Sequence, residues 1–172
     1  MKENPLNSAI LLLGSNIDPE KNIFFALDLL GQVKRKSRIW KTESFGAKGP
    51  DFLNMAVEIE TIFDTQELKE SVITCIEKTL VRIRTENKNA PRTIDVDIML
   101  FNGNVIDHDI WEKAFAAIPV SELMPDLVNP ITGEALSSFA EKMKSSARAE
   151  LFQSDWPIWI IKIPTVLRRG KY

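Results

Sequence analysis

Residues 90–100 read APRTIDVDIML, an Ile, Val, Met and Leu run broken by Asp95 and Asp97, and few structures accommodate it. A short apolar run of this kind is a buried β-strand. Side chains alternate across a strand, so both carboxylates leave the same face, with Cα atoms roughly 6.6 Å apart. Two anions on a mostly apolar strand are costly unless a positive group stands beside them. Arg92 lies just upstream, preceded by Arg82 and Arg84. Carboxylates and guanidiniums at a strand end suit a polyphosphate carried by magnesium.

The rest of the chain supplies partners for that strand. Residues 9–13 form a first strand, closed by a turn at Gly14, Ser15 and Asn16. Asp18 and Pro19 are an N-cap and first helical residue. The helix they open runs to about Leu30, with Ile23, Ala26, Leu27 and Leu30 on one face, and stops near Gly31. Strands follow at residues 37–44 and 53–62, separated by a Gly- and Pro-containing loop at 45–51. Asp64 or Thr65 caps a helix that reaches about Val81. After the Asp-x-Asp strand, Asn102, Gly103 and Asn104 make a hairpin turn. Helices are expected at 108–117, 120–123 and 134–144, and a late strand at 156–164. The order β-α-β-β-α-β, with further elements behind it, is the split βαβ, ferredoxin-like pattern of an α+β protein. It predicts a central, mainly antiparallel sheet layered between helices.

At 172 residues the chain is expected to be one domain with a real core. A net charge of −2 and a pI near 5.6 argue against nucleic acid as the partner. No segment is long and apolar enough for a transmembrane span. The single cysteine, Cys75, excludes an internal disulfide and fits a reducing cytoplasm. Its neighbours Leu68, Val72 and Ile76 predict that it fills the core.

Several kinds of phosphate machinery are absent. There is no GxxxxGK[ST] loop, no GxGxxG and no kinase HRD or DFG set. A nucleotide site here has the Asp pair and separate arginines to work with. At this point the chain resembles the 6-hydroxymethyl-7,8-dihydropterin pyrophosphokinases over roughly residues 10–134. The resemblance rests on LLLGSN at 11–16, FLN at 52–54, IE at 76–77, RIR at 82–84 and PRTIDVDIMLF at 91–101.

That resemblance implies magnesium-dependent transfer of pyrophosphate from ATP to the hydroxymethyl group of a reduced pterin, with AMP released, a step of folate biosynthesis. It implies two magnesium ions on Asp95 and Asp97, and catalytic roles for Arg82 and Arg92 beside the Asp pair. Glu77, Arg84, Arg92 and the Ile98 backbone are implied at the nucleotide. Asn54 and the backbones of Thr42 and Phe45 are implied at the pterin, between the aromatic faces of Phe52 and Phe115. Residues 14–16 are read as a plain strand-to-helix turn.

The chain departs from the family's pattern in places. Val81 and Ala90 replace glycines, and Asn89 stands where an aromatic is common. Between Ile106 and Pro119 the family has a longer segment with a Pro-His-Pro-like motif and an Arg. Here His108 and Lys113 are the available stand-ins toward ATP, and Lys lacks the forked donors of Arg. This shortening leaves open a second reading, a catalytically weakened relative that binds nucleotide or pterin as a regulatory or scaffold module. A ferredoxin-like RNA-binding domain is disfavoured by the acidic pI and the lack of an RNP1-like strand. The expected partners are small molecules, and the expected state is a monomer or small homo-oligomer. The tail at 137–172 has no counterpart in the resemblance.

Overall fold

The computed structural model describes residues 5–44, 49–81 and 91–153. Its centre is β1 (Asn7–Ser15), whose residues are buried from Ala9 onward. The chain continues through α1 (Pro19–Leu30), β2 (Arg35–Lys36), β3 (Trp40–Thr42) and β4 (Phe52–Thr61). A helical stretch follows as α2 (Thr65–Glu67), a π-helical segment (Leu68–Ile73) and α3 (Thr74–Thr79). Then come β5 (Asp95–Phe101), β6 (Asn104–Val105), a 3-10 turn (His108–Trp111), α4 (Ala114–Ser121), α5 (Leu136–Ser146) and β7 (Glu150–Leu151).

The strand order is β6-β5-β1-β4-β3-β7, with β2 also on β4, and every pairing is antiparallel. This is the expected ferredoxin-like sheet. Because β1 is central, both its faces need cover. Ala9, Leu11 and Leu13 pack with Ile23 and Ala26 of α1 and with Leu68, Ile73 and Ile76 of the second helical stretch. Ile10 and Leu12 pack on the other face with Ile118 and Val120 of α4 and Leu136 and Ala140 of α5. Each fully buried Leu or Ile contributes about 1.5–3 kcal/mol. Residues of α4 are buried all round, the composition of an interior helix. The start of the tail is therefore integral: α5 closes a core, and β7 pairs with β3.

Several local expectations are corrected. β1 runs on through Gly14 and Ser15, which pair with Asn54 and Leu53 of β4, so the turn begins at Asn16. Asp18 sits at the N-cap in a left-handed conformation (φ 42°), and its side chain makes no capping bond. Its carbonyl instead accepts from the Asn22 N–H, and Asn22 Nδ2 donates to the Ile17 carbonyl. The strand expected at 37–44 is confined to Trp40–Thr42, with Arg35–Lys36 a separate short strand before it. Between them the Ser37 N–H still donates to the Ala56 carbonyl, but the Ser37 hydroxyl accepts from the Ala56 N–H. Cys75 is exposed rather than packed in the core, because the π-helical turns change the angular phase that an α-helical reading assumes. The expected helix over 108–117 begins as a 3-10 turn and breaks at Glu112 and Lys113 before α4. The late strand at 156–164 lies outside the described residues.

Other local features match. α1 ends at Gly31 (φ 76°), whose N–H reaches the Leu27 and Asp28 carbonyls. Asn102 and Gly103 both have positive φ, as a tight hairpin turn requires. Asp64 caps the next helix in a reciprocal box with Glu67.

Candidate active site

One row across the sheet lays the floor of a site. Gly14 of β1 stands opposite Asp95 of β5 on one side and Asn54 of β4 on the other, and Asn54 in turn faces Trp40 of β3. The next row towards the core is Asp97, Leu12 and Ala56. Alternation puts Asp95, Asp97, Asn54 and Phe52 on the α4 side of the sheet, beyond the helix's first turn. Gly14 has no side chain, so space opens between Asp95 and Asn54. A Cβ there would lie 3.2 Å from Asn54 Oδ1.

A cavity of about 540 Å³ occupies that space. Asp95, Asp97 and Arg92 line one side, and Thr42, Phe52 and Asn54 another. Lys113 and Phe115, from the start of α4, line a third. Asn54 is 2% exposed, and its Nδ2 donates to Thr42 Oγ1 at 2.9 Å. That bond fixes the amide plane, as a group reading a heterocycle edge requires. The Arg92 guanidinium ion-pairs with Asp95 and lies 5.7 Å from the Phe52 ring centroid. Arg92 thus supplies the positive charge that an Asp pair on an apolar strand calls for.

The backbone around Arg92 is fastened to the end of β1. Asn16 Oδ1 accepts from the Arg92 N–H at 2.7 Å, and the Asn16 N–H donates to the Arg92 carbonyl at 3.1 Å. The Ser15 hydroxyl donates to the Thr93 carbonyl at 2.5 Å.

A second cavity of about 360 Å³ lies beside the first and shares Asp97 and Asp107 with it. Its apolar lining comes from Ile73, Val96, Ile98 and Ile106, and its polar lining includes Gln66 and Lys69. Asp97 therefore stands, with Asp107, where the two cavities meet, and Asp95 lies beside it in the main cavity.

Sequence reasoning missed Asp107 and Asp109, which line the main cavity. Asp107 caps the 3-10 turn by accepting from the Asp109 N–H at 2.9 Å. Burial pushes the Asp109 carboxyl above its ordinary range, the negative charges of Asp107 and Glu112 add to this, and Lys113 opposes it. A turn of this kind gives no periodic signal, so the chain alone could not reveal which of its acids face inward. His108 is exposed on the same turn and does not line the cavity. Glu77 is 4% exposed, on α3 beside buried Ile76, and lines neither cavity. Arg82, Arg84 and Phe45 lie outside the described residues.

The donor set fits magnesium. Among the described residues no group of three or more acids, histidines or cysteines gathers into a metal cage. Two hard carboxylates on one face, with open space beside them, suit a cation that draws its other ligands from phosphate and water.

Residues 10–125 match the family model described as 7,8-dihydro-6-hydroxymethylpterin-pyrophosphokinase (HPPK). A 2-amino-4-hydroxy-6-hydroxymethyldihydropteridine pyrophosphokinase of Methylorubrum extorquens is 33% identical, over 82% of this chain and 96% of that protein. The enzyme of the same name from Bacillus subtilis is 38% identical, over 68% and 78% respectively. Among solved structures, a Plasmodium falciparum HPPK-DHPS superposes with a TM-score of 0.64 at 13% identity, over 85% of this chain. This chain spans less than half of that one, 45% of its length, and the likeness speaks to the fold. By sequence, the chain belongs to the 7,8-dihydro-6-hydroxymethylpterin-pyrophosphokinase family.

Proposed function

We propose that this enzyme transfers pyrophosphate from ATP to 6-hydroxymethyl-7,8-dihydropterin in a magnesium-dependent reaction of folate biosynthesis. The observation that carries this reading is the Asp95–Asp97 pair in the main cavity, with Asp97 also lining the second. One cavity is lined by Asn54, Phe52 and Phe115, an amide and two aromatic faces suited to a flat bicyclic heterocycle with donors and acceptors on its edge. The other offers an apolar wall at Ile73, Val96 and Ile98 for a nucleobase. A triphosphate running between them would pass the two carboxylates.

In the reaction the pterin hydroxymethyl oxygen attacks the β-phosphorus of ATP. The bond from that phosphorus to the α-bridging oxygen breaks, AMP leaves, and the hydroxyl proton is lost. Asp95 and Asp97 would hold the magnesium. When bound, magnesium supplies charge neutralisation on the phosphates and aligns attacking and leaving oxygens. Asn54, held by Thr42, orients the pterin edge, and the two phenylalanines fix its plane. Arg92 and Lys113 present positive charge to phosphate oxygens, joined in this reading by Arg82 and Arg84. The pKa-raised Asp109 faces the same space from the 3-10 turn. The lone cysteine supports a cytoplasmic setting, and we propose a monomer or small homo-oligomer.

The test is AMP release, measured with ATP, magnesium and the reduced pterin each omitted in turn. AMP is expected only when all three are present. Pterin binding by calorimetry without any AMP release would favour the weakened-relative reading, which the short segment between Ile106 and Pro119 motivates.

A further inference from the structure

We infer that Asn16 is a positioning residue for the transfer, its one amide setting the spacing between Arg92 and Phe52 across the mouth of the cleft. The inference rests on the pyrophosphokinase reading of the cavity. Asn16 is a buried polar residue, 5% exposed, and both ends of its side chain are used. Oδ1 accepts from the Arg92 N–H at 2.7 Å, while Nδ2 donates to the Pro50 carbonyl at 3.2 Å. Its backbone N–H and that of Ile17 both donate to the Arg92 carbonyl, at 3.1 and 3.3 Å.

The two segments so joined serve opposite walls. Arg92 precedes β5 and the Asp pair, and Pro50 precedes β4 and Phe52. Antiparallel pairing brings the starts of β4 and β5 to the end of β1, where Asn16 follows the last paired residue. The ladder fixes the strands but not the residues just before them. Asn16 ties these two directly, and the Arg92 guanidinium then reaches Asp95 and stacks toward Phe52. An amide is the fitting group, because it accepts at one end and donates at the other. A carboxylate would keep the Arg92 bond and set an acceptor against the Pro50 carbonyl.

This separates two variants of the full chain. Asn16→Asp keeps the Arg92 tie and loses the Pro50 tie. It is expected to raise the pterin KM about fivefold and leave kcat within about twofold of wild type. Asn16→Ala loses both ties and is expected to lower kcat by about tenfold or more as well, and to raise the ATP KM, because Arg92 faces the phosphates. Hydrogen exchange, read without turnover, should show the Arg92 amide less protected in Asn16→Ala and still protected in Asn16→Asp. A purely structural residue would shift the melting temperature alone. Wild-type kcat and pterin KM in Asn16→Ala, measured well below its melting point, would overturn the inference, as would undiminished protection of the Arg92 amide. The wild-type protein in the same assay separately tests the pyrophosphokinase reading.

Discussion

At the residue scale, the absence of a side chain at Gly14 does as much as any side chain present. It leaves the floor of the cavity open between Asp95 and Asn54. Gly14→Ala would press a methyl within 3.2 Å of Asn54 Oδ1 and tilt an amide that Thr42 holds. Disturbing one hydrogen bond to the heterocycle should raise the pterin KM about tenfold, with the ATP KM little changed; steady-state kinetics in each substrate would check this. Asp109 gives a second prediction. Burial and its acidic neighbours raise its folded-state pKa above the ordinary 3.8. Its contribution to stability is therefore complete below 3.8 and is lost as pH rises through the folded value. Asp109→Asn should melt at a higher temperature than wild type near neutral pH, and the gain should vanish in acid. A melting series across pH reads both points.

The Asp pair was legible in the chain because strand alternation is simple: residues two apart share a face whatever surrounds them. Phe52, Asn54 and Phe115 came from the family resemblance rather than from periodicity, and all three line the cavity. Asn16 was read as a turn residue, and the turn is there. Its ties to Arg92 and Pro50 span 76 and 34 residues of chain, which no local pattern encodes.

At the element scale, the long strand and helix expectations were right where burial alone decides and wrong where a side chain intervenes. The Ser37 hydroxyl takes the Ala56 N–H and separates β2 from β3, and π-helical turns rotate Cys75 outward. Where β3 meets α4, a polar pin joins the two. Glu122, at the end of α4, accepts from the Arg38 backbone and guanidinium and from Trp40 Nε1 at 2.7–2.9 Å. The Arg38 guanidinium and Lys144 Nζ both lie near the Trp40 ring. Burial works against ionising Glu122, but these donors outweigh it and hold the carboxyl below its ordinary 4.5. The stability this gives is present above 4.5 and lost as pH falls through the lower folded value. Glu122→Gln should therefore cost about 1–2 kcal/mol near neutral pH, kept small by the exposure of Arg38. In acid the cost should shrink, as denaturant unfolding at two pH values would show.

At the scale of the whole molecule, one sheet with a core on each face places the chemistry. β1 is apolar on both sides because it is covered on both sides, and its continuous run of Ile and Leu fits that central place. On the face covered by α4 and α5, the helices stop short of the strand ends near Gly14, and the uncovered end becomes the cleft. The sequence order β-α-β-β-α-β was enough to anticipate that sheet. It could not reveal that α5 completes a core or that β7 pairs with β3, because both depend on docking by a tail that the resemblance leaves out.

The central claim is that Asp95 and Asp97 together hold the magnesium that carries the nucleotide. Titrating a non-hydrolysable ATP analogue calorimetrically, with and without magnesium, tests it in wild type, Asp95→Asn and Asp97→Asn. Magnesium should tighten binding to wild type by about a hundredfold and do so far less in either variant, while circular dichroism stays that of the folded chain. Equal tightening by magnesium in all three proteins would contradict the account.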